Sequence, residues 1–111
     1  MQPKILIIID NNQTAVVSET LDAALALAAF DENVHLWFKD AGLRQLLSNT
    51  QNNARIIEAL TFYGIEQVFI AKTETNLKLH NQRNFRIATQ WIEPSDMATF
   101  LNNYSNVLRF N

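Results

Sequence analysis

The sequence predicts a three-layer α/β domain, in which helices cover both faces of a mainly parallel sheet of about five strands. The first reason is an uninterrupted, β-branched apolar run over residues 5–9, which is typical of a central parallel strand covered on both faces. The second is an alternation of short apolar runs with helical segments, which indicates right-handed βαβ units. Because 111 residues show no shift in composition, we expect one domain over residues 1–111.

The first half of the chain predicts two strands and three helical segments. The strand over residues 4–9 leads through the polar residues 10–12 into a helix over 14–30, whose apolar residues recur every three or four positions. Thr14 or Ser18 is the expected cap of that helix, and residues 31–33 end it. The following elements are a strand over 34–38, a short helical turn through 43–47, a surface loop over 48–53 and a helix over 54–63 that ends at Gly64.

The second half predicts three more strands. Its expected elements are a strand over 67–71, a short helix over 73–79, a loop over 80–84 and a weaker strand over 85–91. Pro94 favours the start of a helix that runs to Asn103, with Glu93 or Ser95 as its cap. The chain then closes with a fifth strand over residues 106–110.

Composition excludes several classes of function. The net charge is −2, so the chain has no overall basic field for binding nucleic acid, and the cluster of Lys72, Lys78, Arg83 and Arg86 is interpreted as a solvated loop. Without cysteine there is no disulfide, thiolate metal site or cysteine nucleophile. Charged residues make up only 18% of the chain, which fits a surface partly covered by other subunits. The start of the chain lacks a signal-peptide pattern and a span long enough for a bilayer, so we expect a cytoplasmic protein without membrane contact.

The expected site is the crevice beyond the carboxyl ends of the strands. Its candidate residues are Asp10, Asn11, Asn12, Asp40, Gly42, Ala71 and Lys72. Asp10 and Asp40 each follow a strand, so they are able to approach one another and divide acid and base roles. Loop capping is the favoured interpretation of both aspartates, because Asp is common in turns after strands.

No other catalytic, cofactor or metal site is predicted. Gly42 and Gly64 are the chain's two glycines, and neither phosphate-binding glycine motif occurs. His35 and His80 lack a second ligand at metal-binding spacing; His35 is interpreted as a packed strand residue and His80 as an exposed loop residue or a proton donor at the crevice rim. The serines have no nucleophile-elbow context.

Four patches, taken together and in order, resemble the DsrE/DsrF/TusC family. They are SETLDAALA at residues 18–26, WFKDAGLRQLL at 37–47, YGIEQ at 63–67 and YSNVLRF at 104–110. The closing Leu108-Arg109-Phe110 favours the TusC/DsrF branch. The resemblance implies a DsrE/F-like, flavodoxin-like arrangement and a place in a sulfur-relay heterohexamer with TusB-like and TusD-like subunits, which passes persulfide sulfur toward 2-thiouridine in tRNA.

In catalytic relatives the persulfide-bearing cysteine ends the third strand, a position that the resemblance assigns to Ala71. A methyl group cannot carry sulfur, so the resemblance implies a non-catalytic subunit that supports a catalytic partner. Two other hypotheses remain open. One is a stand-alone, homo-oligomeric protein of this family that binds a small molecule near Asp10 and Asp40, and the other, the weakest, is an enzyme that uses those carboxylates.

Overall fold

The computed structural model describes residues 4–30, 33–47 and 53–110. In these ranges the strands are β1 (Lys4–Ile9), β2 (Asn33–Phe38), β3 (Val68–Ala71), β4 (Gln90–Ile92) and β5 (Asn106–Arg109). The α-helices are α1 (Thr14–Ala29), α2 (Ala54–Glu58), α3 (Glu74–Gln82) and α4 (Met97–Leu101). Short 3₁₀ helices cover Asp40–Leu46, Thr61–Tyr63 and Pro94–Asp96.

The strands form one parallel sheet in the order β4-β3-β2-β1-β5. The predicted fold class, a five-stranded flavodoxin-like α/β arrangement, is confirmed. β1 lies between β2 and β5, and Ile7 pairs with Leu36 on one side and Leu108 on the other. The chain builds outward from β1 to β4 and then returns across β1 to add β5, so the direction of winding reverses between β1 and β5.

Alternate side chains of β1 enter two different cores because successive residues of a strand point to opposite faces. Ile5, Ile7 and Ile9 belong to the larger cluster, which α1, the Asp40–Leu46 helix and α2 cover. Leu6 belongs to the smaller cluster, which is mainly aromatic and includes Phe100 of α4. This two-sided burial explains why the β1 sequence is continuously apolar.

The predicted fourth strand over residues 85–91 was wrong at its start, since β4 is Gln90–Ile92. Phe85 instead forms an isolated antiparallel bridge with Leu47. The backbone N–H of Arg86 donates to the carbonyl of Leu46 at 2.8 Å, and its guanidinium donates to the carbonyl of Leu47 at 2.5 Å. The backbone of this segment is therefore tied to the end of the Asp40–Leu46 helix and not to β3.

Helix boundaries account for the other differences. The helix predicted over 54–63 is α2 followed by the Thr61–Tyr63 turn, because the N–H of Tyr63 is shared between the carbonyls of Ala59 and Leu60. Gly64 ends this region with φ +94°, a conformation that glycine adopts easily. The expected side-chain caps at Thr14 and Ser18 are absent, because α1 begins after Gln13 without a side-chain cap bond. The predicted surface loop over 48–53 and the helix end over 31–33 lie largely outside the described residues.

The helix expected from Pro94 to Asn103 is divided into the Pro94–Asp96 turn and α4. Glu93 precedes the turn, as one of the two expected caps, but its side chain makes no capping hydrogen bond. None of the helices in the described ranges combines the length and the apolar character needed to cross a lipid bilayer.

Candidate functional site

A groove of about 1080 Å³ lies at the carboxyl ends of β2 and β3, between the Asp40–Leu46 helix and α3. Its lining residues are Asn12, Trp37, Phe38, Lys39, Asp40, Leu43, Arg44, Leu47, Ala71, Thr73, Thr75, Asn76, Lys78, Leu79, Gln82 and Arg83. These residues are called the groove below. The groove occupies the edge of the sheet at which ligands bind in open α/β folds.

One wall of the groove is a single face of α3. Thr75, Lys78, Leu79 and Gln82 line the groove, and their three- and four-residue spacing places them on one side of a helix. The start of α3 is held by Thr73, whose hydroxyl accepts a hydrogen bond from the N–H of Asn76 at 3.1 Å. No residue of α3 is fully buried, so this wall rests lightly on the rest of the domain.

A second contact joins α3 to the end of β3. The side-chain amide of Asn76 donates to the carbonyl of Ala71 at 2.9 Å. Ala71 and Asn76 both line the groove, so this hydrogen bond fixes the helix directly above the end of the strand.

The opposite wall approaches β1 closely. The N–H of Lys39 donates to the carbonyl of Ile9 at 2.9 Å, and a Cβ atom added to Gly42 would lie 1.9 Å from the same oxygen. Only glycine leaves room for this approach. Asp40 has φ 51°, a left-handed conformation that Asp tolerates better than most residues, which gives it a structural reason to occupy this turn.

The groove is positively charged. Among the described residues that line it, four are cationic and one is acidic: Lys39, Arg44, Lys78, Arg83 and Asp40. The ammonium group of Lys39 lies 5.1 Å from the centre of the Trp37 ring, in a cation–π contact. Lys78 pairs with Glu74 at 3.6 Å, but both side chains are largely exposed, so this ion pair is weak.

The structure places three of the seven candidate crevice residues in the groove: Asn12, Asp40 and Ala71. The side-chain oxygen of Asn12 accepts a hydrogen bond from the amide of buried Gln45 at 2.6 Å, which holds the loop after β1 against the Asp40–Leu46 helix. Gly42 lies behind the wall, in contact with Ile9. Its role is packing.

The remaining three candidates have other partners. Asp10 forms an ion pair with Arg109 at 2.6 Å. Asn11 accepts a hydrogen bond from the N–H of Gln13, and Lys72 pairs with Glu93 at 3.2 Å. Asp10 is absent from the groove lining, so the two aspartates do not share one pocket there.

Sequence reasoning missed the cations of the groove. Lys78 and Arg83 were interpreted as part of a solvated loop, yet both line the groove. The signal that identifies them is their helical spacing from Thr75, which becomes visible only once α3 is known to continue to Gln82.

The two histidines have separate environments away from any metal-binding group. Across the ranges that the structure describes, no three or more His, Asp or Glu side chains are grouped to hold a metal ion. The Nδ1 atom of His35 lies 2.7 Å from the phenol oxygen of Tyr104, in a hydrogen bond on the α4 side of the sheet. Burial, and secondarily the charge of Lys4, lowers the pKa of His35, while burial raises the pKa of Tyr104 to about 12.

The expectation that His80 lies in a loop was wrong. His80 belongs to the last turn of α3, and its ring packs edge-on against Phe85 at 4.8 Å and Trp91 at 5.7 Å between ring centres. These contacts attach the end of α3 to β4, so the ring has a packing role that its sequence context did not indicate.

Comparison with known proteins supports the fold and leaves the family open. No protein-family model matches the chain, and no curated protein matches it in sequence. The crystal structure of the YchN protein of E. coli is similar, with a TM-score of 0.76 and 17% sequence identity over 99% of this chain and 100% of that one. The chain therefore has the DsrE-like α/β fold that YchN represents.

Proposed function

We propose that this chain is a non-catalytic subunit of a sulfur-relay complex of the TusBCD/DsrEFH kind, and that it supports persulfide transfer by a partner toward 2-thiouridine in tRNA. The observation that carries the proposal is the position of Ala71. It ends β3 and lines the groove, at the place where the resemblance puts the persulfide-bearing cysteine of catalytic relatives. Its methyl group offers no atom that can accept or donate sulfur.

Exposed aromatic side chains support a subunit role. Phe30 and Phe62 are 80% and 88% exposed, and Phe62 stacks edge-on with half-exposed Tyr63 at 5.7 Å between ring centres. All three residues follow α1 or precede β3, so they lie toward the amino edge of the sheet, away from the groove. Exposed aromatics of this kind are typical of the centre of protein–protein interfaces. A partner that covers them leaves the groove accessible.

The proposal is tested by association. The tagged chain is co-expressed with TusB-like and TusD-like chains from the same genome, and light scattering after size exclusion measures the mass of what co-purifies. We expect a stable assembly at micromolar concentration, because specific interfaces bury about 1,600 Å² in total. A 12.7 kDa species with and without the partners would contradict the proposal.

A pair of variants sharpens this test. Phe62→Ser removes the most exposed aromatic ring and is expected to weaken the assembly at least about tenfold, as loss of a central aromatic contact does. Ala98→Ser, at an exposed position of α4, changes polarity without removing a ring and serves as the control. Equal behaviour of the two variants would place the interface elsewhere on the chain.

The second candidate function is a stand-alone, homo-oligomeric protein that binds a small molecule. The observation that favours it is the groove itself, which has the volume of a ligand site and one lightly packed wall. It predicts a homo-oligomer that is unchanged by the relay partners. Co-purification with either partner would exclude it.

A further inference from the structure

We propose that the groove binds an amphiphilic organic anion, a small molecule with an apolar body and one carboxylate, sulfonate or phosphate group. This proposal goes beyond the sulfur-relay role and does not depend on it. It concerns a site with no residue able to react covalently with a ligand as a thiol would, so the expected event is reversible binding.

The charge of the two walls is the first argument. Lys39 and Arg44 belong to the wall that begins at the end of β2, while Lys78 and Arg83 belong to the wall formed by α3 and its end. Like charges on facing walls repel each other, and an anion placed between them replaces that repulsion with attraction to both walls. Asp40 is the single acidic side chain among the described lining residues, so it offsets only part of this charge.

The apolar lining is the second argument, and it requires an organic body. Trp37, Leu43 and Leu47 are buried residues that line the groove, and half-buried Leu79 lines it from α3. A simple inorganic anion would leave these apolar groups facing water. A hydrocarbon or aromatic body would bury them, which is favourable in proportion to the area covered.

Size and support from α3 are the third argument. The volume of about 1080 Å³ is at the upper end of the range of about 300–1,000 Å³ that is usual for small-molecule sites. Because no residue of α3 is fully buried, a bound molecule would supply packing that this helix lacks. The volume suits one small molecule held between two short helices, which is why we favour it over an extended acidic peptide.

Two fluorescent probes test the proposal. The first is 8-anilinonaphthalene-1-sulfonate, which has an aromatic body and one sulfonate, and the second is N-phenyl-1-naphthylamine, which has the same body without the charge. We expect the sulfonate to bind the folded protein with a stoichiometry of one. The neutral probe should bind at least about tenfold more weakly, because it gains nothing from the cations.

Variants locate the probe. Lys78→Gln combined with Arg83→Gln removes the two cations of the α3 wall, and we expect the dissociation constant of the sulfonate probe to rise at least about tenfold. Arg55→Gln removes an exposed cation of α2, outside the groove, and should change that constant by less than about twofold. All the substituted side chains are exposed, so the variants should keep the fold, which their unfolding temperatures verify.

Several results would overturn the proposal. These are equal binding of the two probes, an unchanged dissociation constant in the Lys78/Arg83 double variant, or an equal loss of binding in Arg55→Gln. Displacement of the sulfonate by a hexaglutamate peptide at an equal or lower concentration would also overturn it, in favour of an acidic peptide. Binding of the sulfonate in this pattern with no relay partner found would support the groove proposal and leave the relay proposal contradicted, so the two fail separately.

Discussion

The guanidinium of Arg109 lies 2.6 Å from the carboxylate of Asp10, so one ion pair joins the ends of β5 and β1. The pair lies where the winding of the sheet reverses, and β5 is the edge strand there. The Asp10 side chain is only 10% exposed, whereas that of Arg109 is 58% exposed. The carboxylate therefore depends on the arginine more than the arginine depends on the carboxylate.

We expect Arg109→Gln to lower the free energy of unfolding by about 1–2 kcal/mol, because it leaves a nearly buried carboxylate without its counter-charge. Asp10→Asn should cost less, since it removes the charge that needs a partner. Urea unfolding of both single variants and the double variant measures the coupling between them. Additive effects, with no coupling energy, would show that the pair does not stabilise the edge strand.

The glycines provide a second prediction. Gly42→Ala should destabilise the domain by about 3 kcal/mol, because the new methyl group would meet the backbone of Ile9 at 1.9 Å and both segments are packed in the core. Gly64→Ala meets no atom but keeps φ +94°, so it should cost about 1 kcal/mol. Urea midpoints at an unchanged slope compare the two variants. A larger loss at Gly64 would contradict the close approach at Gly42.

The fold was predictable because the strongest signals were local. The apolar run of β1 identified a central parallel strand, and its residues alternate between two cores as a covered strand requires. The start of the predicted fourth strand was wrong for a non-local reason. Its backbone bonds to Leu46, far away in sequence, and no local pattern around Phe85 reports that contact.

The site was predictable only in outline. The rule for parallel sheets located the correct edge, and Asp40 and Ala71 line the groove there. The partner of Asp10 is Arg109 near the other end of the chain, so the expected approach of two aspartates could not be checked against this competitor from sequence alone. The groove cations were missed for a different reason, namely that their common face depends on how far α3 extends.

The hydrogen bond between His35 and Tyr104 predicts a pH window for stability. Burial lowers the pKa of His35, so the unfolded chain binds its proton more readily; stability should fall as pH drops below about 6.5, the ordinary histidine value. Burial raises the pKa of Tyr104 to about 12, so the unfolded chain loses its proton first; stability should fall as pH rises from about 10 toward that value.

Tyr104→Phe keeps the ring and removes the hydroxyl, so it separates these effects. We expect it to cost about 0.5–1.5 kcal/mol at neutral pH, as loss of one hydrogen bond usually does, and to reduce the fall in stability above pH 10. His35→Gln should instead reduce the fall at acidic pH. Thermal unfolding across the pH range measures both flanks. Identical pH profiles for the two variants and the unchanged protein would contradict the assignment.

The last prediction concerns sulfur. The purified protein, incubated with a cysteine desulfurase and labelled cysteine, should show no covalent sulfur adduct by intact mass, because Ala71 is a methyl group and the chain contains no thiol. Ala71→Cys should create a reactive thiol whose pKa is lowered by Lys39, Arg44, Lys78 and Arg83 around the groove. Ala98→Cys, on exposed α4 and away from these cations, is the matched control.

The pH dependence of alkylation by iodoacetamide compares the two thiols, since the thiolate is the reacting form. We expect the rate of the Ala71→Cys variant to reach half its maximum at a lower pH than that of Ala98→Cys, and added salt should reduce the difference by screening the cations. Sulfur transfer onward to an acceptor is not expected from this substitution alone, because the relay step requires the partner's site. A labelled adduct on the unchanged protein would contradict the non-catalytic role, and equal midpoints for the two variants would contradict a cationic groove around position 71.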